Sequence, residues 1–344
     1  MKRNYYFAAA AACVLSMLLS GCQRTDSGES ARLQAGVACY NQSDVFISEL
    51  TEALREELEG LESRGVTATL TLKDAAGSQR TQDDQVKELI DEGCNVLCVN
   101  LVDRTDPSEI IDLARENDVP IIFFNREPVA EDLMQWSGLY YVGADAEQSG
   151  IMQGQLAAQA IQEEGSLVDR NRDGVIQYVV LEGEAGHQDA IIRTEKAVDT
   201  LKSQGISLEK LSYGVANWNR AQAENRMTQM IGEHQNRIEL VLANNDTMAL
   251  GAMDAYRKLN ITEATFPVFF GIDGTREGLQ AIVDSRMAGT VYNDKEGQAK
   301  AMAELAAALI LGEGMEDISF EKEKYRYLPY EKITRDNVEE YLDR

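Results

Sequence analysis

From Ala35 onward the chain alternates two kinds of hydrophobic pattern. Short runs that are apolar at nearly every position, such as VLCVN, IIFFN and LVLAN, read as strands buried on both faces. Between them lie longer stretches whose apolar residues recur every three or four positions, as in an amphipathic helix. The runs predict strands at 35–40, 67–73, 96–100, 121–125, 140–142, 176–181, 208–214, 240–244, 268–272 and 289–292. The periodic stretches predict helices at 46–64, 79–92, 107–117, 147–162, 190–202, 220–232, 247–258 and 276–285. Strand–helix alternation of this kind builds βαβ units and a mostly parallel sheet. So many strands exceed what one small sheet would use, and two Rossmann-like lobes are the simpler α/β arrangement.

Polar or aromatic residues recur just past the strand ends, where open α/β sheets bind their ligands. Asp44 and Phe46 follow the first strand, Asn100 ends the third, and His187, Asp189 and Arg193 follow the run VIQYVVL. Trp218 follows 208–214, Asn245 follows LVLAN, Asp273 follows VFFGI, and Asn293 follows GTVY. Taken singly, each reads as a helix cap or turn residue. Together they offer carboxylates, amides and one guanidinium for hydroxyl groups, with two flat rings for apolar faces. A pyranose presents both, hydroxyls around its rim and C–H bonds on its faces.

The motifs of catalysis and nucleotide binding are missing: no glycine-rich phosphate loop follows the first strand, and there is no GxxxxGKS/T and no GxSxG. With two histidines, His187 and His234, a Ser-His-Asp triad would rest on His187 without an evident serine. The pattern is that of a binding protein and not an enzyme. A net charge of −25 also excludes a general nucleic-acid binder.

The run DRNRDGVIQ has a second chemistry. Asp169, Asn171, Asp173 and Gln177 place side-chain oxygens at positions 1, 3, 5 and 9 of a cation loop, with Gly174 at the sharp turn and Val175 offering its carbonyl. An EF-hand would end with a bidentate Glu at position 12, where this chain has Val180. The same run also reads as an Asx-rich turn, and the loop alone leaves both readings open.

At the other end, residues 1–21 carry a short basic stretch, an apolar segment and Leu-Ser-Gly before Cys22. This is the pattern of an export signal, too short for a stable membrane span. Its ending resembles a lipobox, which would make lipidated Cys22 the mature N-terminus, anchored on the outer face of the bacterial cell membrane. Residues 22–34 then read as the anchor and a flexible polar linker. Cys39, Cys94 and Cys98 lack a disulfide or zinc spacing and read as buried thiols.

Nearly the whole mature chain resembles one family, the bacterial D-galactose/D-glucose-binding proteins of ABC sugar import, within the periplasmic-binding-protein superfamily. The likeness is carried by GVACYNQSDVF, VNLVDRTDP, PIIFFNREP, YYVGADAEQSG, DRNRDGVIQYVVLEGEAGHQDA, WNRAQAE, IELVLANNDTMALGAMDA, VFFGID and AGTVYND. It implies a type I periplasmic-binding-protein fold with a hinge of three crossovers. The first lobe would be 35–119 with 294–327, the second 120–293 with 328–344.

It also implies that Asp44, Asn100, His187, Asp189, Arg193, Asn245, Asp273 and Asn293 bond the sugar, with Phe46 and Trp218 against its faces. A structural calcium would take Asp169, Asn171, Asp173, the Val175 carbonyl and Gln177, with Glu239 as the carboxylate that position 12 lacks. The implied partners are D-galactose or D-glucose and an ABC transporter permease, for a protein acting as a monomer. Three rivals stand beside this. One is a sensor whose closed form engages a chemoreceptor or histidine-kinase ectodomain. Another is a sugar enzyme using Asp189 and Asp273 as a carboxylate pair. The third, a LacI-type repressor core, is excluded by the export signal.

Overall fold

The computed structural model describes residues 32–163, 165–342 and 344. The export signal, Cys22 and the first part of the linker lie outside the described residues. The apolar runs form twelve strands: β1 (Arg32–Cys39), β2 (Thr67–Asp74), β3 (Val96–Val99), β4 (Ile121–Phe124), β5 (Leu139–Ala144), β6 (Ile176–Glu182), β7 (Leu208–Val215), β8 (Leu240–Ala243), β9 (Val268–Phe270), β10 (Gly289–Asn293), β11 (Tyr325–Leu328) and β12 (Tyr330–Thr334). The periodic stretches form α1 (Val45–Gly60), α2 (Gln79–Asp91), α3 (Ser108–Glu116), α4 (Ala130–Leu133), α5 (Ala146–Glu163), α6 (Gly165–Val168), α7 (Gln188–Ser203), α8 (Arg220–His234), α9 (Asp246–Lys258), α10 (Arg276–Val283) and α11 (Lys295–Leu311).

Two six-stranded sheets result, ordered β11-β5-β4-β3-β1-β2 and β12-β10-β9-β8-β6-β7. Among the described strands β12 runs antiparallel, to β10, and the other pairings are parallel. Each sheet is buried on both faces, as its apolar runs require. In the first lobe one core joins β1 and β3 to α1 and α11, and a second joins the opposite face to α2 and α3. The second lobe repeats this with α8, α9 and α10 on one face and α5 and α7 on the other.

The expected lobe boundary at 119/120 is corrected. β4 pairs in parallel with β3 (Leu97 beside Ile121) and β5 pairs with β4, so both extend the first sheet. The chain therefore first crosses at Asp145, between β5 and α5, which packs against α7 and β10 in the second lobe. The second crossing, Asn293 to Lys295, matches the expectation. The third falls at Pro329, between β11 of one sheet and β12 of the other. The expected linker is shortened too, because Arg32, Leu33 and Gln34 belong to β1 and Leu33 is fully buried. Cys39, Cys94 and Cys98 are buried free thiols.

With both sheets presenting their strand ends to each other, the lobes meet across a cleft. Contacts that cross it include Arg126 Nη2 to Glu184 Oε2 at 2.6 Å, the Arg276 amide of α10 donating to Glu49 Oε1 of α1 at 3.2 Å, and Lys295 Nζ of α11 donating to the Gly274 carbonyl at 3.4 Å. Among the described residues no helix is long and apolar enough to cross a membrane.

Candidate ligand-binding cleft

Several cleft residues are set by helix ends. Asp44 caps α1, its Oδ1 accepting from the Ile47 amide at 3.2 Å, while Oδ2 accepts from the Tyr40 hydroxyl at 2.6 Å. Phe46, in the first turn of that helix, is held against the lobe core. His187 caps α7 by accepting the Asp189 amide on Nδ1, and Asn245 caps α9 by accepting the Met248 amide. The cap reading of these three residues holds, and it leaves them at the strand ends, where ligands of open α/β sheets are met.

Trp218 depends on two backbone features. Asn217 and Trp218 both adopt positive φ, 49° and 60°, which turns the ring back over the strand ends. A Cβ on Gly183 would stand 2.2 Å from that ring, so only glycine admits it there. His187 meets the indole edge-on, with centroids 5.4 Å apart.

Eight of the ten expected site residues line one cavity between the lobes: Asp44, Phe46, His187, Asp189, Arg193, Trp218, Asn245 and Asp273. Phe46 comes from the first lobe and Trp218 from the second. About 340 Å³ of non-atom space, part of it open to solvent, lies among these side chains. Asn100 and Asn293 stand one layer back. Asn100 donates to Asn125 Oδ1 at 3.0 Å and to the Phe124 carbonyl, and Asn293 hydrogen-bonds Asp273. Sequence reasoning missed Tyr40, Ile47, Asn125 and Arg126, which also line the cavity. Asn125 and Arg126 stand just past β4, so the strand-end rule that picked out the others would have found them.

The cleft is electrostatically prepared. Arg193 is 4% exposed; its Nη1 donates to the Asn244 carbonyl and its Nη2 to the Tyr330 hydroxyl. Burial acts to lower this guanidinium, but Tyr330, Asp273 and Asp189 outweigh it and hold it above its ordinary value. Asp273 lies 3.7 Å from Arg193 Nη1; its own burial pushes the carboxyl up against that pull. Burial lowers His187 to about 4, so the imidazole is neutral near pH 7. With Nδ1 accepting, Nε2 carries the proton and donates. Among the buried side-chain atoms without a hydrogen-bond partner is Nε of Arg193, whose side chain lines this cavity; Asn100 Oδ1, one layer back, is another. Leaving such an atom orphaned costs about 1–3 kcal/mol.

In the loop at 169–177, Gly174 takes φ 79° at the turn. Asp169 accepts the Asp173 and Gly174 amides, and Asp173 accepts the Val175 amide. Glu239, 1% exposed, lies beneath: Oε1 accepts the Arg170 and Asn171 amides and Oε2 that of Gln177. The sequence-distant carboxylate and the loop are thus neighbours, and the all-oxygen donor set suits a hard cation. Among the described residues no three His, Cys, Asp or Glu side chains group as a metal site by themselves. Amide and backbone oxygens would have to complete the coordination.

Comparison with known proteins agrees with this architecture. A periplasmic binding protein domain model matches residues 35–314. The chain is 34% identical over 310 residues to the D-galactose/methyl-galactoside binding periplasmic protein MglB of Haemophilus influenzae, covering 89% of this chain and 91% of that one. It is 27% identical to a xylitol-binding protein of Mycolicibacterium smegmatis, over 96% of this chain and 86% of the relative. An ABC transporter solute binding protein from Bacillus halodurans with bound myo-inositol superposes with a TM-score of 0.74 at 27% identity, covering 92% of this chain and 99% of its own. The chain belongs to the periplasmic binding protein family, whose members matched here are solute-binding proteins and not enzymes.

Proposed function

We propose that this protein captures D-galactose or D-glucose between its lobes outside the cytoplasm and delivers it to the permease of an ABC importer. The observation that carries the reading is the orphaned buried donor Arg193 Nε in a cavity lined by Asp44, Asp189 and Asp273 together with the rings of Phe46 and Trp218. Neutral hydroxyls satisfy donors and acceptors alike, and the C–H faces of a pyranose match the two rings. Similarity to a D-galactose/methyl-galactoside binding protein narrows the class.

In this reading Asp44, Asp189, Asn245 and Asp273 accept from or share hydroxyl protons. Arg193 and the His187 Nε2–H donate, and Asn100 and Asn293 brace Asn125 and Asp273 from behind. A ligand bridging both lobes shifts the open–closed equilibrium by its extra affinity for the closed form. Closure excludes water, so a missing hydroxyl leaves a buried partner unpaired.

Calcium, when bound, is held by Asp169, Asn171, Asp173, Gln177, Glu239 and the Val175 carbonyl, and its role is structural. Lipid on Cys22 tethers the protein to the membrane. The sensor reading has no observation of its own in its favour.

The test is calorimetric titration of the full mature chain with D-galactose, D-glucose, D-allose, xylitol and myo-inositol. D-galactose or D-glucose is expected to bind tightest, and Trp218→Ala to weaken that binding about tenfold or more through lost stacking and area. Tighter binding of myo-inositol would move the assignment to a polyol. No binding of any of the five would overturn it.

A further inference from the structure

Arg126 sits where the ligand cavity, the first lobe and the closing second lobe meet. Its side chain is 4% exposed. The guanidinium lies 3.7 Å over the Tyr40 ring, Nη1 donates to the Val102 carbonyl at 2.8 Å, and Nη2 reaches Glu184 of the second lobe at 2.6 Å. Beneath it the Tyr40 hydroxyl donates to Asp44 Oδ2. Burial and the Asp44 charge push the Tyr40 phenol upward, so it remains a donor to that carboxylate.

One chain of contacts therefore runs Glu184–Arg126–Tyr40–Asp44, from the far lobe to a ligand-facing carboxylate. Its outer member, Glu184, is 45% exposed and belongs to the second lobe, so the ion pair spans the cleft. We propose that Arg126 is a positioning residue for ligand capture. It clamps Tyr40, and through it Asp44, in the posture that meets the ligand, and Glu184 completes the clamp on closure. The inference rests on the sugar-capture reading for its ligand, but the latch itself is a property of the two lobes.

A planar guanidinium suits both tasks, stacking on the ring while pairing with a carboxylate at its edge. The pair stabilises the closed form alone, so its loss reduces the closed fraction and raises apparent Kd by the same factor.

The experiment uses the full mature chain with Glu184→Gln, Glu184→Arg and Arg126→Lys, and the double variant Arg126→Glu/Glu184→Arg. Affinity for the tightest sugar of the panel is measured by calorimetry and dissociation by stopped flow. The ligand-free radius of gyration is measured by small-angle scattering. Glu184→Gln is expected to weaken binding about three- to tenfold, mainly through faster dissociation, with Tm unchanged. Glu184→Arg, which sets two cations face to face, is expected to weaken it further and to open the ligand-free lobes; the charge-swapped double variant recovers part of the loss. Arg126→Lys keeps the charge, loses the stacking, and is expected to lie between wild type and Glu184→Arg.

Wild-type affinity together with an unchanged radius in both Glu184 variants overturns the proposal, whatever the double variant does. If wild type binds none of the sugars yet Glu184→Arg expands the ligand-free chain, the latch stands and the sugar assignment falls.

Discussion

His187 shows how one side chain serves the fold and the cleft together. It caps α7 through Nδ1, edges against Trp218, and is held neutral with its pKa lowered to about 4 by burial. In the unfolded chain it titrates near its usual value of about 6.5. Between those values the unfolded state carries a proton that the folded state lacks, so stability falls as the solution is acidified through this window. Asp246 acts in the opposite sense: burial raises it to about 7, so the folded state keeps a proton that the unfolded state has released, and its contribution weakens as pH rises from about 4 to about 7. Replacing His187 by Asn, which can still cap, is expected to reduce the loss of Tm between pH 6.5 and 4.5 relative to wild type. The term removed is up to about 3 kcal/mol, converted at about 1.4 kcal/mol per pK unit. Thermal unfolding at the two pH values reads it, and an unchanged acid slope would refute it. Asp44, His187 and Asn245 were legible in the sequence because capping puts small polar residues at strand-to-helix junctions. The role of Arg126 was not, since its partner lies 58 positions away across the cleft and no local pattern links Asn-Arg-Glu-Pro to Glu184.

Among the elements, the loop at 169–177 shows where spacing informs and where it stops. Alternating oxygens and Gly174 are visible in the string itself. Glu239 was assignable only through the family resemblance, because it reaches the loop by the parallel pairing of β6 with β8 and by its bonds to the Arg170, Asn171 and Gln177 amides. If the loop holds calcium, a chelator should lower the Tm of the full chain by several degrees and added calcium should restore it, reflecting about 2.7 kcal/mol at a hundredfold excess over Kd. A Tm indifferent to both would remove the ion. Asp169→Asn should blunt the calcium response while leaving the chelated Tm nearly unchanged. β11 and β12 escaped the sequence reading for a different reason. They are edge strands whose YRYL run is largely half-buried and whose YEKIT run mixes buried and exposed positions, so neither shows the continuous apolar run of the central strands.

For the whole molecule, two lobes were readable from the number of strands, but their border was not. Strands β3, β4 and β5 are all short and apolar, and nothing in such a run states which parallel sheet it joins. Register does: Leu97 beside Ile121 and Ile121 beside Leu139 continue the first sheet. The crossings at 145, 294 and 329, the first and third of them corrected, put the hinge at three short segments between the sheets. Bending there should bring the lobes together on ligand without altering either core. Scattering is therefore expected to show a smaller radius of gyration with saturating sugar than without, while far-UV circular dichroism stays constant. A radius independent of sugar would argue against closure.

That threefold passage also orders how the polypeptide can reach its final state. The first lobe is interrupted after β5 by β6–β10 of the second lobe and their helices, and receives α11 and β11 only afterwards; the second waits for β12. A nascent chain lacking those last pieces leaves β5 and β10 with bare hydrogen-bonding margins and α1 without its helical neighbour. The first sheet gains its edge strand only once residue 328 has been made and the second only after residue 334, so each half stays without its last margin until most of the polypeptide exists.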